Sequence, residues 1–409
     1  MSRAQRDCKE SVYGCPGCRF RVLLRVVIVV LSGSFGVNWL STPVQQQRKA
    51  AMKSDQTRLN NPDRRSLLKG AAAVGISFSV PPALLAADGK LNFYNWDTYI
   101  GEDTISQFES SSGVSVQYDL YADNDELFAK LKGGNPGYDL IVPTNDYIER
   151  MLLADMLLPI DHSKISNIGN VGSAFMNPAF DPGRKYSMPY MWGTIGLGYR
   201  KSAVEELTSW NDVLASDKYA GRIALMGDAQ TNFQMALKAM GKSLNDWSDE
   251  NIAAAEAMLL AQKSNVAAFA PDNGQDLLLA GEVDIAMEWN GDILQAMDED
   301  DDIGYVVPKE GGLLWEDALC IPKGAKNIDN AHAMIDHILD AKVGAEIAEF
   351  IFYASPNDAS REHLPDDYLN NPAIFPDQAT IEASEVSLFP GQEVVRKIDD
   401  AWTRIKAAG

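Results

Sequence analysis

The chain has 409 residues, 46% of them hydrophobic and 23% charged, with a formal net charge of −21. That much apolar material at that charge density builds folded cores, so wholesale disorder is excluded, and the length suits two domains. The charge is unevenly spread: residues 1–87 hold 13 Lys and Arg against 4 Asp and Glu, leaving 23 against 53 in 88–409, a net of −30 that repels nucleic acid and anionic membranes and attracts cations.

The basic end has the order of an export signal. Arg64-Arg65-Ser66-Leu67-Leu68-Lys69 precedes a mildly apolar, small-residue stretch, Gly70–Leu85, and then Ala86-Ala87-Asp88. The paired arginines resemble the twin-arginine type, which exports folded proteins, so 52–87 is expected to be a twin-arginine-like signal. Upstream, Val22–Leu24 and Val26–Leu31 form an apolar run too short for an ordinary membrane span. With Met52 as the natural start, residues 1–51 read as an over-extended N-terminus. Cys8, Cys15 and Cys18 fall in that leader, leaving Cys320 with no partner for an intramolecular disulfide. A soluble periplasmic protein is expected.

Leu91–Tyr99 reads as a short strand ending in an aromatic–carboxylate–aromatic loop, with Trp96, Asp97 and Tyr99 at its end. A helix at Gly101–Glu109, a strand at Val114–Tyr118 and a helix at Asp123–Leu131 follow. The strand Tyr138–Pro143 then runs into the polar loop Thr144-Asn145-Asp146, with a helix at Tyr147–Leu152. These strand–helix–strand units predict an α/β lobe. No glycine-rich phosphate fingerprint follows the first strand, which argues against a dinucleotide fold.

Gly193–Arg200 reads as extended chain crossing between lobes. A second α/β segment runs through strand Arg222–Met226, which ends in Gly227-Asp228, then helices Asn232–Met240 and Asp249–Gln262, strand Val283–Trp289 and strand Ile303–Pro308. Ala318–Pro322 reads as the return strand. Helices Ile328–Leu339, Val343–Phe352 and Glu393–Lys406 close the chain, the last with Ile398, Trp402 and Ile405 on a core stripe.

Large rings recur beside acids: Trp96 before Asp97, Trp289 after Glu288, and Trp315 before Glu316 and Asp317. A ring face attracts a cation and a carboxylate gives an ammonium a directed bond, so the combination suits an organic cation. Enzyme chemistry has little to stand on. The four histidines, at 162, 332, 337 and 363, form no metal or nucleophile motif, and Cys320 sits in an apolar strand. No catalytic residue, metal or cofactor is expected. Paired acids could imitate a glycosidase, and tryptophans could grip a sugar, but sugars call for amides rather than this many carboxylates.

Asn95-Trp96-x-x-Tyr99, Tyr138-Asp-Leu-Ile-Val-Pro143, Pro189-Tyr-x-Trp-Gly193, Asn265-Val-Ala-Ala-Phe269, Trp289-Asn-Gly291, Lys309-Glu-Gly-Gly312, Trp315-x-Asp317 and Tyr353-x-x-Pro-Asn357 occur in order across 88–409. Together they resemble the spermidine/putrescine-binding proteins of bacterial polyamine ABC transporters. The resemblance implies an α/β, periplasmic binding protein-like fold, two lobes joined by crossing strands with a ligand cleft between them. Residues 88–194 and 319–360 would form the first lobe, and 195–318 and 361–409 the second. It implies capture of a polyamine by lobe closure and delivery to an inner-membrane ABC permease, by a monomer without nucleic-acid partners. The alternative is another small organic cation or amine-bearing metabolite on the same fold.

Carried over by matching motif, the ligand-binding residues are Trp96, Tyr99, Thr144, Asp146, Asp228, Trp289, Trp315, Asp317 and Tyr353, with Asp228 and Asp317 pairing with ammonium groups. The chain departs from the family pattern at three places. An acid expected three residues after Asp228 is Thr231, a Tyr expected at 146 is Asp146, and a late Gln is Ser387. Thr231, Ser387, Asp97 and Glu288 are further candidates for ligand contact.

Overall fold

The computed structural model describes residues 89–205 and 207–408; the expected export signal at 52–87 and the over-extended segment at 1–51 lie outside the described residues. The strands are β1 (Lys90–Trp96), β2 (Ser115–Tyr121), β3 (Leu140–Ile141), β4 (Leu157–Leu158), β5 (Ser187–Arg200), β6 (Ile223–Met226), β7 (Val266–Ala270), β8 (Ile285–Trp289), β9 (Ile303–Val306), β10 (Leu313–Pro322) and β11 (Glu385–Val386). One mixed sheet runs β2-β1-β3-β10-β5-β8-β6-β7, with β4 and β11 on β10 and β9 on β5.

The helices that matter for the site are α1 (Thr104–Ser112), α2 (Asn124–Lys132), α3 (Asn145–Leu153), α4 (Asn211–Leu214), α5 (Ala229–Ala239), α6 (Asp249–Gln262), α7 (Gly274–Leu279) and α8 (Asn290–Glu299). Beyond them come α9 (Ile328–Ile338), α10 (Ala341–Ile351), α11 (Asp366–Leu369), α12 (Gln378–Ala383) and α13 (Gln392–Ala407).

β1 pairs parallel with β2 and β3, the pattern of strand–helix–strand units. Leu91, Phe93 and Tyr94 of β1 are all fully buried, because apolar side chains pack on both faces of a parallel strand. The second set of parallel pairings is β6 with β7 and β8.

β5 and β10 join these two halves. The extended chain expected from Gly193 begins earlier, at Ser187, and forms a single strand of 14 residues. Its first half pairs antiparallel with β10, and from Ile195 onward it pairs with β8, while β9 takes its other edge from Leu197. β10 likewise begins earlier than expected, at Leu313, so Trp315 and Asp317 lie in a strand rather than in a loop before it. A register shift between Asp317 and Ala318 bends β10 at that point.

The junction is pinned from behind. Arg184, fully buried just before β5, forms an ion pair of 2.7 Å with Glu316 of β10 and donates from Nε to the Phe175 carbonyl. Asp181 accepts from Tyr186 N, Ser187 N and Ser187 Oγ, fixing the entry into β5. α13 buries Ile398, Ala401, Trp402 and Ile405, the expected stripe, with Trp402 edge-on to Phe269 of β7. Among the described residues no helix is long and apolar enough to cross a membrane.

Candidate ligand-binding cleft

The C-terminal ends of β1, β3 and β8 and the middle of β10 converge on a narrow compartment lined by Trp96, Asp97, Tyr99, Thr144, Asp272, Trp289, Asp292, Trp315, Asp317 and Tyr353. A roomier second compartment shares Trp96, Thr144, Asp272, Trp289 and Trp315 and extends past Asp146, Asp228, Gln230, Thr231, Gln234 and Ser387 to Asp123 and Asp125. Among the described residues no lysine, arginine or histidine lines either compartment, and of the lining carboxylates Asp125 is paired from outside by Arg150 at 2.9 Å.

The rings form a continuous wall. Tyr190, Tyr99, Tyr353, Trp315 and Trp289 meet edge to face in that order, with successive centroids 5.2, 5.2, 5.2 and 5.6 Å apart. The three tyrosines are held from outside the cleft. Tyr190 donates to the Tyr99 carbonyl at 2.6 Å, Asn95 donates to the same oxygen at 3.0 Å, and Tyr368 donates to the carbonyl of Tyr353. Trp96 is anchored through Nε1 to the Val142 carbonyl. Two glycines make room for the wall. A Cβ on Gly291 would come within 2.4 Å of the Tyr353 ring, and one on Gly193 would come within 2.7 Å of the Trp315 indole.

Within this wall Asp317 is only 6% exposed and its Oδ1 has no partner among the described residues. Burial pushes its carboxyl up to about 7, against the opposing effect of the Thr144 and Tyr99 hydroxyls beside it. Thr144 faces Asp317 through an antiparallel bridge, and Asn124 donates to its hydroxyl at 2.8 Å. The Tyr99 hydroxyl is likewise buried without a partner among the described residues. A buried acceptor left unmatched is costly, and a ligand N–H satisfies it.

The first compartment has a second acidic station that the sequence reading missed. Asp272, in the β7–α7 loop, and Asp292, in the first turn of α8, come together with Glu288, their carboxylate oxygens within 4.8 Å of one another. Burial, helped by the charges of Asp97 and Asp123, pushes Asp272 up to about 6, and burial, helped by the charge of Asp272, pushes Asp292 up to about 8. Glu288 does not line the cleft, contrary to expectation. It is fully buried behind the wall, accepting from Gly274 N at 3.0 Å and Trp289 N at 3.1 Å, and burial raises its carboxyl well above the usual range. That leaves Asp272 and Asp292 free to meet a cation, whether an ammonium or a metal ion. Asp272 holds φ at +128°, a region that favours glycine, so the loop stores strain at the cavity edge.

The remaining candidates divide between the compartments. Asp97, exposed, lines the first. Asp228 lines the second, away from Asp317; it caps α5, its Oδ1 accepting from Thr231 N at 2.8 Å. Thr231 and Ser387 also line the second compartment. The helix after Thr144 starts two residues earlier than expected, at Asn145, which sets Asp146 in its first turn, 9% exposed, with burial pushing its carboxyl up to about 7. Asp292 had one signal in the sequence: it stands three residues after Trp289, one position beyond the Trp289-Asn-Gly291 motif.

A family model described as bacterial extracellular solute-binding protein matches residues 103–376. The chain is 39% identical over 326 residues to the spermidine/putrescine-binding periplasmic protein of Escherichia coli strain K12, covering 79% of this chain and 92% of that one. It is 32% identical over 337 residues to a putrescine/cadaverine-binding protein of Pseudomonas aeruginosa, covering 79% and 95%. Among solved structures, a putative spermidine/putrescine ABC transporter from Listeria monocytogenes superposes with a TM-score of 0.74 at 32% identity, over 78% of this chain and 99% of that one. The fold, the cleft at its strand crossing and these matches agree: this chain belongs to the bacterial extracellular solute-binding protein family.

Proposed function

We propose that the protein is a periplasmic binding protein that captures a polyamine in this cleft and delivers it to an inner-membrane ABC permease, without catalysing a reaction. One observation carries the reading: Asp317 is buried in an aromatic wall with an oxygen that has no partner among the described residues, in a compartment that also presents Asp272 and Asp292 and, among the described residues, no cationic side chain. A polyamine is an apolar chain with ammonium groups set apart along it. Rings take the methylenes and strip water, and separated carboxylates take the ends. The relatives' names, spermidine/putrescine-binding and putrescine/cadaverine-binding, support the same class.

In this reading Asp317 receives one ammonium, with Tyr99 beside it, and Asp272 with Asp292 receives another. Trp96, Trp289, Trp315 and Tyr353 enclose the chain between them. Asp97, Thr144, Asp146, Asp228, Thr231 and Ser387 line the approach and the second compartment. The lobes divide at 194/195 and 318/319, with 361–409 returning to the second lobe; the switch of β5 between partners at Thr194 and Ile195 supports that boundary. Residues 52–87 serve as a twin-arginine-like export signal, and the mature protein acts as a monomer.

A thermal-shift panel tests the class. Putrescine, cadaverine, spermidine and spermine are compared with γ-aminobutyrate, arginine, choline and maltose on the purified protein. Stabilisation by one or more polyamines, exceeding every other compound, is expected. Stabilisation only by a zwitterion, choline or sugar refutes the polyamine reading while leaving the fold intact.

A further inference from the structure

The second compartment holds a hydrogen-bond network that the proposed chemistry leaves unused. Gln230, in the first turn of α5, donates from Nε2 to Asp146 Oδ2 at 2.9 Å and to Ser387 Oγ at 3.2 Å. Gln234, one turn on, donates to Ser387 Oγ at 2.8 Å, and its own Oε1 is buried with no partner among the described residues. Asn145 ties the same segment down through the Ser387 carbonyl. Asp146 comes from the first half of the fold, Gln230 and Gln234 from the second, and Ser387 from the C-terminal segment, so the network spans the cleft.

The compartment is chemically suited to an ammonium. Asp146 and Asp228 supply carboxylates, and Gln234 Oε1 supplies a buried acceptor. The group now on Asp146 is an amide. In its ionised form Asp146 only accepts, so the Gln230 atom facing it is then the nitrogen, whose two hydrogens are both committed.

Resting on the polyamine reading, we propose that Gln230 is a specificity-determining residue: its amide nitrogen stands on Asp146 where the third ammonium of a triamine would bind, and so biases the cleft toward diamines. A diamine fills the first compartment, between Asp317 and the Asp272–Asp292 pair, and leaves the network intact. A triamine reaches past the Trp289–Trp315 edge and must displace Gln230 before it gains Asp146. The displacement strands the amide hydrogens unless water reaches them, which sets the penalty.

Calorimetric titration of the purified protein with putrescine and spermidine tests this, using wild type, Gln230→Ala, Gln230→Met, Asp146→Asn and the Gln230→Ala/Asp146→Asn double variant. Gln230→Ala is expected to tighten spermidine about tenfold while moving putrescine less than about twofold. Gln230→Met, which keeps the length without the amide, gives the same ranking and guards against a folding defect in either variant. In the double variant the spermidine gain disappears. Equal weakening of both amines by Gln230→Ala and Gln230→Met would overturn the proposal, because it would make Gln230 a latch that holds the cleft closed around any ligand. Binding of neither amine by wild type would instead refute the polyamine reading, and the proposal with it.

Discussion

Trp289 of β8 and Trp315 of β10 meet edge to face, centroids 5.6 Å apart at 85°, and both rings line both compartments. They form the junction through which any elongated ligand passes. Trp315 is the more buried of the two and also contacts Tyr353 edge-on. Trp315→Ala is expected to weaken polyamine binding about 30-fold, the loss of a desolvated cation–π contact worth about 2 kcal/mol, read by calorimetry. Trp315→Phe, which keeps a ring face, is expected to recover a good part of it.

Asp317 opposes folding in the empty cleft and favours ligand. Its carboxylate is buried beside Glu316 and Asp146 with one oxygen unmatched, so removing the charge relieves the apo protein. Asp317→Asn is expected to raise the melting temperature of the apo protein by about 1–3 °C while weakening polyamine binding more than tenfold. A variant that loses both stability and binding would show that Asp317 serves packing instead.

The pH dependence follows from the raised carboxyls. Asp317 and Asp146 near 7, Asp292 near 8 and Asp272 near 6 all stand above their unfolded values, so the folded protein binds more protons than the unfolded chain between about pH 4 and 8. Their contribution to stability is fully present below the unfolded value and is lost as pH rises through the folded one. A bound ammonium favours the ionised forms, so binding releases protons. Polyamine affinity is expected to rise from pH 5.5 to 8 and then level off, with the ligand-induced thermal shift growing in parallel. Titration at pH 7 in buffers of differing ionisation enthalpy measures the released protons directly.

Gly291 stands where a Cβ would overlap the Tyr353 ring, and α10 ends at Ile351, two residues before that ring. Gly291→Ala must displace Tyr353 or α8, and it is expected to weaken ligand binding about tenfold or more with a smaller loss of stability. Tyr353→Ala in the Gly291→Ala background should restore the melting temperature but not the affinity, which separates crowding from the ring's role in binding.

Arg184 sits fully buried against Glu316, one residue from Asp317 on the other side of β10. Breaking the pair with Arg184→Ala leaves Glu316 uncompensated and is expected to cost about 3–5 kcal/mol in denaturant unfolding, whereas replacing both partners with apolar residues costs far less.

The aromatic wall was legible in the sequence because its members stand in short ordered motifs: Trp96 with Tyr99, Trp315 with Asp317, and Tyr353 before Pro356. The second acidic station was not. Asp272 and Asp292 are 20 residues apart and meet only because β7 and β8 both end at the cleft. Glu288 misled for the opposite reason. It neighbours Trp289 in the chain, but successive residues of a strand point to opposite faces, so one lines the cleft and the other lies behind it. Asp228 and Asp317, each expected to pair with an ammonium group, line separate compartments, and the register of β10 against β5 that sets Asp317 in the first of them is a long-range pairing no local pattern encodes.

The most direct test is calorimetric titration of purified, ligand-free protein with putrescine, cadaverine, spermidine and spermine, repeated on Asp317→Asn and Asp292→Asn. Binding of at least one polyamine at one site per chain, weakened more than tenfold by each substitution, is the predicted result. No heat and no thermal stabilisation by any of the four, or full affinity retained by both variants, would contradict the account.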